Sequence, residues 1–271
     1  MSRAKIVLIA GYGSLPLVFL ERAKKKGLDV VVIQVKGEES PGISKFRYPV
    51  YKIPITALGR ILKVAKKENA KKILMQGYVR HTNIFKNIRF DLRTLKVLMR
   101  ARDMRAASLL NEVIKEFKNE RLKVMPSTWL LDDLLAGRGT IAGKKPGKKF
   151  FEEIKKGFGA AAALAGMDIG QSVVVKKGVV TAAEAQEGTD NCIKRGAKIA
   201  GKGFIVIKAA RPGQDLRFDV PVMGLKTLKL IKQLGGRGIV VETGKTLLLD
   251  KRKIEENARR WGVFVYGYKR R

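Results

Sequence analysis

In the first half of the chain, short unbroken apolar runs alternate with segments whose apolar positions recur at helical spacing. KIVLIA (5–10), LDVVVIQV (28–35) and KKILMQG (71–77) have the composition of strands covered on both faces. Residues 15–26 and 56–70 carry helical patterns, and in the second of these Leu58, Ile61, Leu62 and Ala65 share one face. DLRTLKVLMRARDMRAASLLNEVIKEF (91–117) reads as one broken helix or two consecutive ones. LKVMP (122–126) reads as a short strand, and STWLLDDLLA (127–136) as a helical segment opened by a capping serine. This β-α-β-α order predicts a parallel sheet with helices on both faces, a Rossmann-like domain over residues 1–135.

The pattern then breaks. GRGTIAGKKPGKK (137–149) is rich in Gly and Lys with little apolar periodicity, which places a domain boundary near residue 135 and a second, distinct α/β domain over 136–271. There KFFEEIKKGFGAAAALAG predicts a helix and QSVVVKKGVVTAAEAQ (171–186) a hairpin with a Lys-Lys-Gly turn. Strands are expected at 203–210 and 215–224, the latter at an edge or bulge because of Pro221. A helix (225–234), two strands (238–249), a helix (251–261) and a strand (263–268) complete the pattern, without internal repeats.

Composition narrows the class. With 271 residues, 45% of them hydrophobic, the chain has material for two cores and too much apolar content for disorder. No apolar run is long enough to span a bilayer, and IVLIA is too short for a signal-peptide core, so the expected setting is cytoplasmic. The lone Cys192 cannot form an internal disulfide. Fifty-seven Lys and Arg against 24 Asp and Glu give a net charge of +33. Such a surface attracts polyanions or an anionic lipid face. A nucleic-acid-binding protein is therefore an alternative, but the cations lack interleaved aromatics and no recognition motif is present, so no nucleic-acid partner is expected. The sequence allows a homo-oligomer without requiring one.

The candidate chemistry begins at GYGSLP (11–16), between the first strand and its helix. Gly11 and Gly13 match the start of a dinucleotide fingerprint, but Pro16 stands where its third glycine belongs, and only Glu38 is near the position of the ribose-binding acid. A nucleotide-dependent oxidoreductase is thus weakly supported. A phosphate or nucleotide resting on Gly11, Gly13, Ser14 and Leu15 at the helix N-terminus fits better, with Ser14 as the expected N-cap; a plain tight turn competes with it. His81 is the only histidine, which excludes His-based zinc sites and two-metal sites built on several histidines. A hydrolase of this sequence would use carboxylates, cations and a hard metal bound through oxygen.

Two stretches supply such groups. TAAEAQEGTD (181–190) carries Glu184, Gln186, Glu187, Thr189 and Asp190. Glu184 and Gln186 are expected to share one strand face, and Thr189 or Asp190 to cap the following helix after Gly188. KAARPGQDLRFDVPVMG (208–224) places Lys208, Arg211 and Arg217 beside Asp215 and Asp219. Cations there suit phosphate oxygens and Asp suits a metal or water, although an Arg217–Asp219 pair on an exposed strand would account for part of it.

GYGSLP, DIGQSVVV…GVVTAAEAQEGTD, and RFDVPVMG followed by GIVVETGKTLLLD resemble the LpxI-type UDP-2,3-diacylglucosamine pyrophosphatases of lipid A biosynthesis, over essentially the whole chain and in order. The resemblance implies a Rossmann-like N-terminal domain, a C-terminal domain of distinct fold, and an active site between the two. It implies hydrolysis of UDP-2,3-diacylglucosamine to UMP and 2,3-diacylglucosamine 1-phosphate (lipid X), by attack of water on the α-phosphate with Mg2+ assistance. The aspartate required for turnover falls on Asp219. On this reading Asp219, Asp190 and Glu187 are the catalytic candidates, and Asp219 and Glu184 the metal ligands. Gly11, Gly13, Ser14, Leu15, Gln171, Gln186, Thr189, Lys208 and Arg217 are the substrate contacts. A substrate with two acyl chains implies work at the anionic inner-membrane surface. The sequence departs from the family's usual motif in having Val220 where Leu is common.

Overall fold

The computed structural model describes residues 5–79, 90–103, 106–215, 217 and 220–270. The chain divides into two compact units, Met1–Leu130 with Leu216–Phe218, and Leu131–Asp215 with Asp219–Arg271.

In the first unit, β1 (Lys5–Ala10), β2 (Val30–Val35), β3 (Val50–Ile53), β4 (Ala70–Gln76) and β5 (Lys123–Val124) form a parallel sheet in the order β3-β2-β1-β4-β5. Alternation along β1 sends Ile6, Leu8 and Ala10 to one face, where Phe19, Leu20 and Ala23 of α1 (Leu15–Lys25) cover them. Val7 and Ile9 point to the other face. It is covered by Leu58, Ile61, Leu62 and Ala65 of α2 (Leu58–Lys67), Val97 of α3 (Leu92–Arg100) and Phe117 of α4 (Ala106–Asn119). Both faces are dry, which is why β1, β2 and β4 read as continuous apolar runs. Each fully buried Leu or Phe contributes about 1.5–3 kcal/mol. The strand order reverses between β1 and β4, and the carboxyl ends of these two strands frame the switch point at which open α/β sheets bind ligands.

The second unit holds a six-stranded sheet of order β6-β13-β11-β9-β7-β8. β9 (Ile205–Lys208), β11 (Gly238–Glu242) and β13 (Phe264–Tyr268) run parallel. β6 (Gly139–Ala142), β7 (Ser172–Lys176) and β8 (Val179–Ala183) pair antiparallel at the flanks. Residues of α5 (Lys148–Gly166) cover one face, and α6 (Thr189–Ala200), α7 (Leu225–Gln233) and α8 (Lys251–Trp261) the other. β10 (Val222–Met223) and β12 (Leu247–Leu248) form a separate parallel pair.

The α/β class and the parallel N-terminal sheet agree with the sequence reading. Four local expectations change. GRGTIAGKKPGKK contains edge strand β6 and the first residues of α5, because β13 offers TIA a pairing partner that the local sequence does not reveal. STWLLDDLLA forms a turn and a short 3-10 helix, Asp132–Leu134, with no helix opened by Ser127, whose hydroxyl instead donates to the Met75 carbonyl at 2.6 Å. Among described residues of 215–224, only Val222–Met223 are strand. β3 was not anticipated: VYKI is an edge strand with one fully buried residue, Ile53, and so lacks an unbroken apolar run.

Candidate functional site

The glycine turn at the end of β1 is fixed by close backbone approach. A Cβ on Gly11 would lie 2.6 Å from the Tyr78 carbonyl, and one on Gly77 would lie 2.6 Å from the Gly11 carbonyl. Both positions therefore need glycine, and Gly77 also has φ +90. The Ser40 hydroxyl, after β2, is shared between the carbonyls of Gly11 (2.7 Å) and Gly13 (2.8 Å). Ser14 is not the side-chain cap expected of it: its backbone is already helical (φ −85, ψ −17) and its hydroxyl makes no capping bond. Pro16 in the first turn starts the helix instead. Leu15 points into the core, so its polar contribution at this turn is its backbone N–H. Tyr12 and Tyr78 pair by backbone bonds across the strand ends and leave their rings 56% and 60% exposed.

In the second unit, β7 and β9 bring Ser172 and Lys208 into register, and α6 begins with Thr189 beside them. Lys208 is buried at the end of IVIK, in a strand otherwise made of Ile and Val. Its ammonium donates to Thr189 Oγ1 at 2.9 Å and to Ser172 Oγ at 3.4 Å. Lysine has no acceptor, so Thr189 must send its own proton onward, to Glu184 Oε1 at 2.9 Å. The result is a directed chain, Lys208 to Thr189 to Glu184. Glu184 Oε2 is buried and has no hydrogen-bond partner among the described residues. A carboxylate oxygen left this way is costly unless it serves a ligand or a proton. The Glu184 backbone is held by its N–H to the Ser172 carbonyl at 2.9 Å. It packs so tightly on Gly170 that a Cβ there would overlap the Glu184 carbonyl.

The neighbouring acids are engaged elsewhere. Glu187 pairs with Arg195 and accepts from the Ala185 N–H at 3.0 Å; the Arg195 bond, then the backbone bonds, hold its carboxyl below the usual range. Asp190 accepts from Thr227 Oγ1 at 3.1 Å and lies 3.5 Å from Lys226, tying α6 to the start of α7. Arg211 bonds Asp168 at 2.7 Å. The expected strand face shared by Glu184 and Gln186 is absent, because β8 ends at Ala183; Glu184 turns inward and Gln186 is exposed. Gly188, not Thr189 or Asp190, occupies the N-cap, since the Thr189 hydroxyl is taken by Lys208 and Glu184. Gln171 contributes its carbonyl to the Ala209 N–H at 2.9 Å. Arg217 groups with the first unit, its carbonyl 3.0 Å from the Ser127 hydroxyl and sharing that proton with the Met75 carbonyl. Asp219 and His81 lie outside the described residues.

The structure thus brings together Glu184, Thr189 and Lys208 of the predicted set, and adds Ser172. The signal for Ser172 was present: one hydroxyl at the head of an all-valine strand, QSVVV. Among the described residues no three His, Cys, Asp or Glu side chains converge on one point, so these residues alone do not complete a metal site.

A parallel sheet with a glycine turn at its reversal point, and a separate mixed sheet with a hydrogen-bonded cation–carboxylate chain at its strand ends, define a two-domain α/β protein with buried polar groups in the second domain. Residues 5–134 match the family described as the LpxI N-terminal domain, and residues 137–266 the LpxI C-terminal domain. The chain is 30% identical over 274 aligned positions, 97% of each protein, to the UDP-2,3-diacylglucosamine pyrophosphatase LpxI of Caulobacter vibrioides. The chain belongs to the LpxI family.

Proposed function

We propose that the protein is a hydrolase of UDP-2,3-diacylglucosamine, releasing UMP and 2,3-diacylglucosamine 1-phosphate by attack of water on the α-phosphate. Beside family membership, the observation that carries this reading is the Lys208–Thr189–Glu184 chain ending in a buried, partnerless carboxylate oxygen. Attack on a diphosphate builds negative charge on the phosphoryl oxygens, and a preoriented cation in a water-poor site stabilises it. Lys208 supplies that charge, Thr189 fixes its direction, and Glu184 Oε2 is the oxygen that can hold a proton or a hard cation. Asp219 is the proposed essential carboxylate on the strength of its motif. Mg2+ belongs to the proposal, with oxygen donors Asp219 and Glu184, and when bound it would add charge neutralisation of the diphosphate. In this reading Glu187 and Asp190 support the loop and the start of α6. Gly11, Gly13, Ser14, Leu15, Gln171, Gln186, Thr189, Lys208 and Arg217 are the proposed substrate contacts. A diacylated substrate puts the enzyme at an anionic membrane surface, which a chain of net charge +33 would favour.

The test is turnover of the acylated nucleotide by purified protein with Mg2+, in solvent water carrying heavy oxygen. The expected products are UMP and the sugar 1-phosphate, with the label on UMP and no turnover by Asp219→Ala. Neither product from wild type rejects the activity, and label on the sugar phosphate rejects attack at the α-phosphate.

A further inference from the structure

Helix α3 carries apolar side chains on both sides. Its inner side is secured without them all. Val97 and Thr94 are buried, and Asp91 caps the helix through the Thr94 N–H at 2.9 Å while also accepting from the Gly59 N–H of α2 at 2.7 Å. The buried carboxylate of Glu116 on α4 receives Arg93 at 2.9 Å and Arg100 at 2.7 Å. The helix is therefore anchored in its layer by contacts that do not use its outward stripe. That stripe is Leu92, Leu95 and Met99, spaced i, i+3 and i+7 and 78%, 41% and 84% exposed. Folding does not account for three large apolar side chains facing out of an anchored helix. Lys96 stands on the same outward side, and the adjacent helix α2, in the same layer, turns Arg60 and Lys63 to solvent. An apolar ridge with a lysine beside it and further exposed cations on the neighbouring helix, on a helix too short and polar to cross a bilayer, is the make-up of an interfacial docking element.

We propose that α3 is the membrane-docking element, lying in the plane of an anionic lipid surface with Leu92, Leu95 and Met99 inserted below the headgroups and Lys96, Arg60 and Lys63 against lipid phosphates. Charge complementarity selects this occupant over a second copy of the chain, whose own layer would present the same cations. The proposal draws its purpose from the diacylated substrate proposed above, but its test uses no substrate, so the two readings fail separately.

Full-length protein is sedimented with phosphatidylcholine vesicles with and without phosphatidylglycerol. Wild type is expected to bind the anionic vesicles alone. The double variant Leu92→Ser/Met99→Ser is expected to bind them at least about tenfold more weakly, the loss implied by removing two inserted apolar side chains, with an unchanged thermal midpoint. A Met99→Trp variant provides a second readout, a blue shift of emission with anionic vesicles only. Wild-type protein that ignores anionic vesicles overturns the proposal, as does a double variant that binds like wild type or a tryptophan whose emission does not move. A double variant that converts an oligomer to a monomer while keeping vesicle binding assigns the stripe to self-association and also overturns it.

Discussion

Thr189→Val tests whether the chain from Lys208 to Glu184 is a working unit. The substitution keeps the branched shape and removes one oxygen. That oxygen accepts from a buried ammonium at 2.9 Å and donates to a carboxylate at 2.9 Å, so two charge-assisted bonds are lost at once. Each such bond is worth about 1.5–3 kcal/mol. Two effects offset the loss: Thr189 is only half-buried, so water recovers part of it, and the ammonium and carboxylate, having shared one oxygen, can approach each other directly. The expected net destabilisation is about 1–2 kcal/mol. The effect on turnover is larger, about a hundredfold, because a cation relaxed toward Glu184 no longer points where charge develops. Trp129 lies in the first unit and Trp261 in the second, and they are the only tryptophans. A Trp129→Phe background therefore lets fluorescence follow denaturant unfolding of the second unit alone, beside a steady-state assay. Thr189→Ser restores the hydroxyl and should restore turnover to within a few-fold of wild type. A Thr189→Val protein that unfolds and turns over like wild type would refute the chain as described.

Cys192 is fully buried, and burial, reinforced by Glu184, pushes its thiol up to about 11, so a disulfide reagent should leave it untouched in native protein at pH 8 and titrate one thiol after denaturation. Arg195 holds the Glu187 carboxyl below the usual carboxylate range, so its contribution is present above the unfolded value and is lost as pH falls through the lower folded value. Since both side chains are partly exposed, Glu187→Gln should cost no more than about 0.5 kcal/mol at neutral pH, a gap that closes as acid unfolding is followed down through the carboxylate range. Gly77→Ala should destabilise the first unit by about 1–3 kcal/mol, by clash with the Gly11 carbonyl and by its positive φ. Gly13→Ala, strained in φ (+119) but with open space at Cβ, should cost less; equal losses, read from Trp129 in a Trp261→Phe background, would contradict the close approach.

What the sequence disclosed follows from how local each determinant is. β1, β2 and β4 are covered on both faces, so their apolar runs announce them whatever their partners. β6 exists only because β13 arrives more than a hundred residues later to pair with it, and no window around TIA contains that information. The Thr189 hydroxyl shows the same limit at atomic scale. Locally the best use of a threonine after Gly188 is a helix cap, but β9 delivers an ammonium to the same oxygen and the tertiary bond wins. Residue types in the second half did include the members of the hydrogen-bonded chain, since Glu184, Thr189 and Lys208 were all candidates. Their selection from among Glu187, Asp190 and Gln186 required the register of β7 against β9.

That register also buries Lys208, which makes its role testable. An ammonium 8% exposed at the end of an Ile-Val strand is expensive to desolvate, and its hydrogen bonds to two hydroxyls do little more than offset that cost. A stability role alone would be served better by an apolar side chain of the same length. Lys208→Met keeps the methylene stem packed and removes only the charge; the carboxylate it leaves behind still holds the Thr189 hydroxyl through Oε1, while its buried Oε2 stays without a partner among the described residues. The second unit should then lose no more than about 1 kcal/mol, because the cost of desolvating the ammonium disappears together with its bonds, while turnover falls by at least about a hundredfold. Lys208→Arg should lose both, because the broader planar guanidinium cannot occupy the ammonium's site between Ser172 and Thr189. If instead Lys208→Met unfolds several kcal/mol earlier and its folded fraction turns over normally, Lys208 is a strut of the sheet and the charge at the strand end has another use.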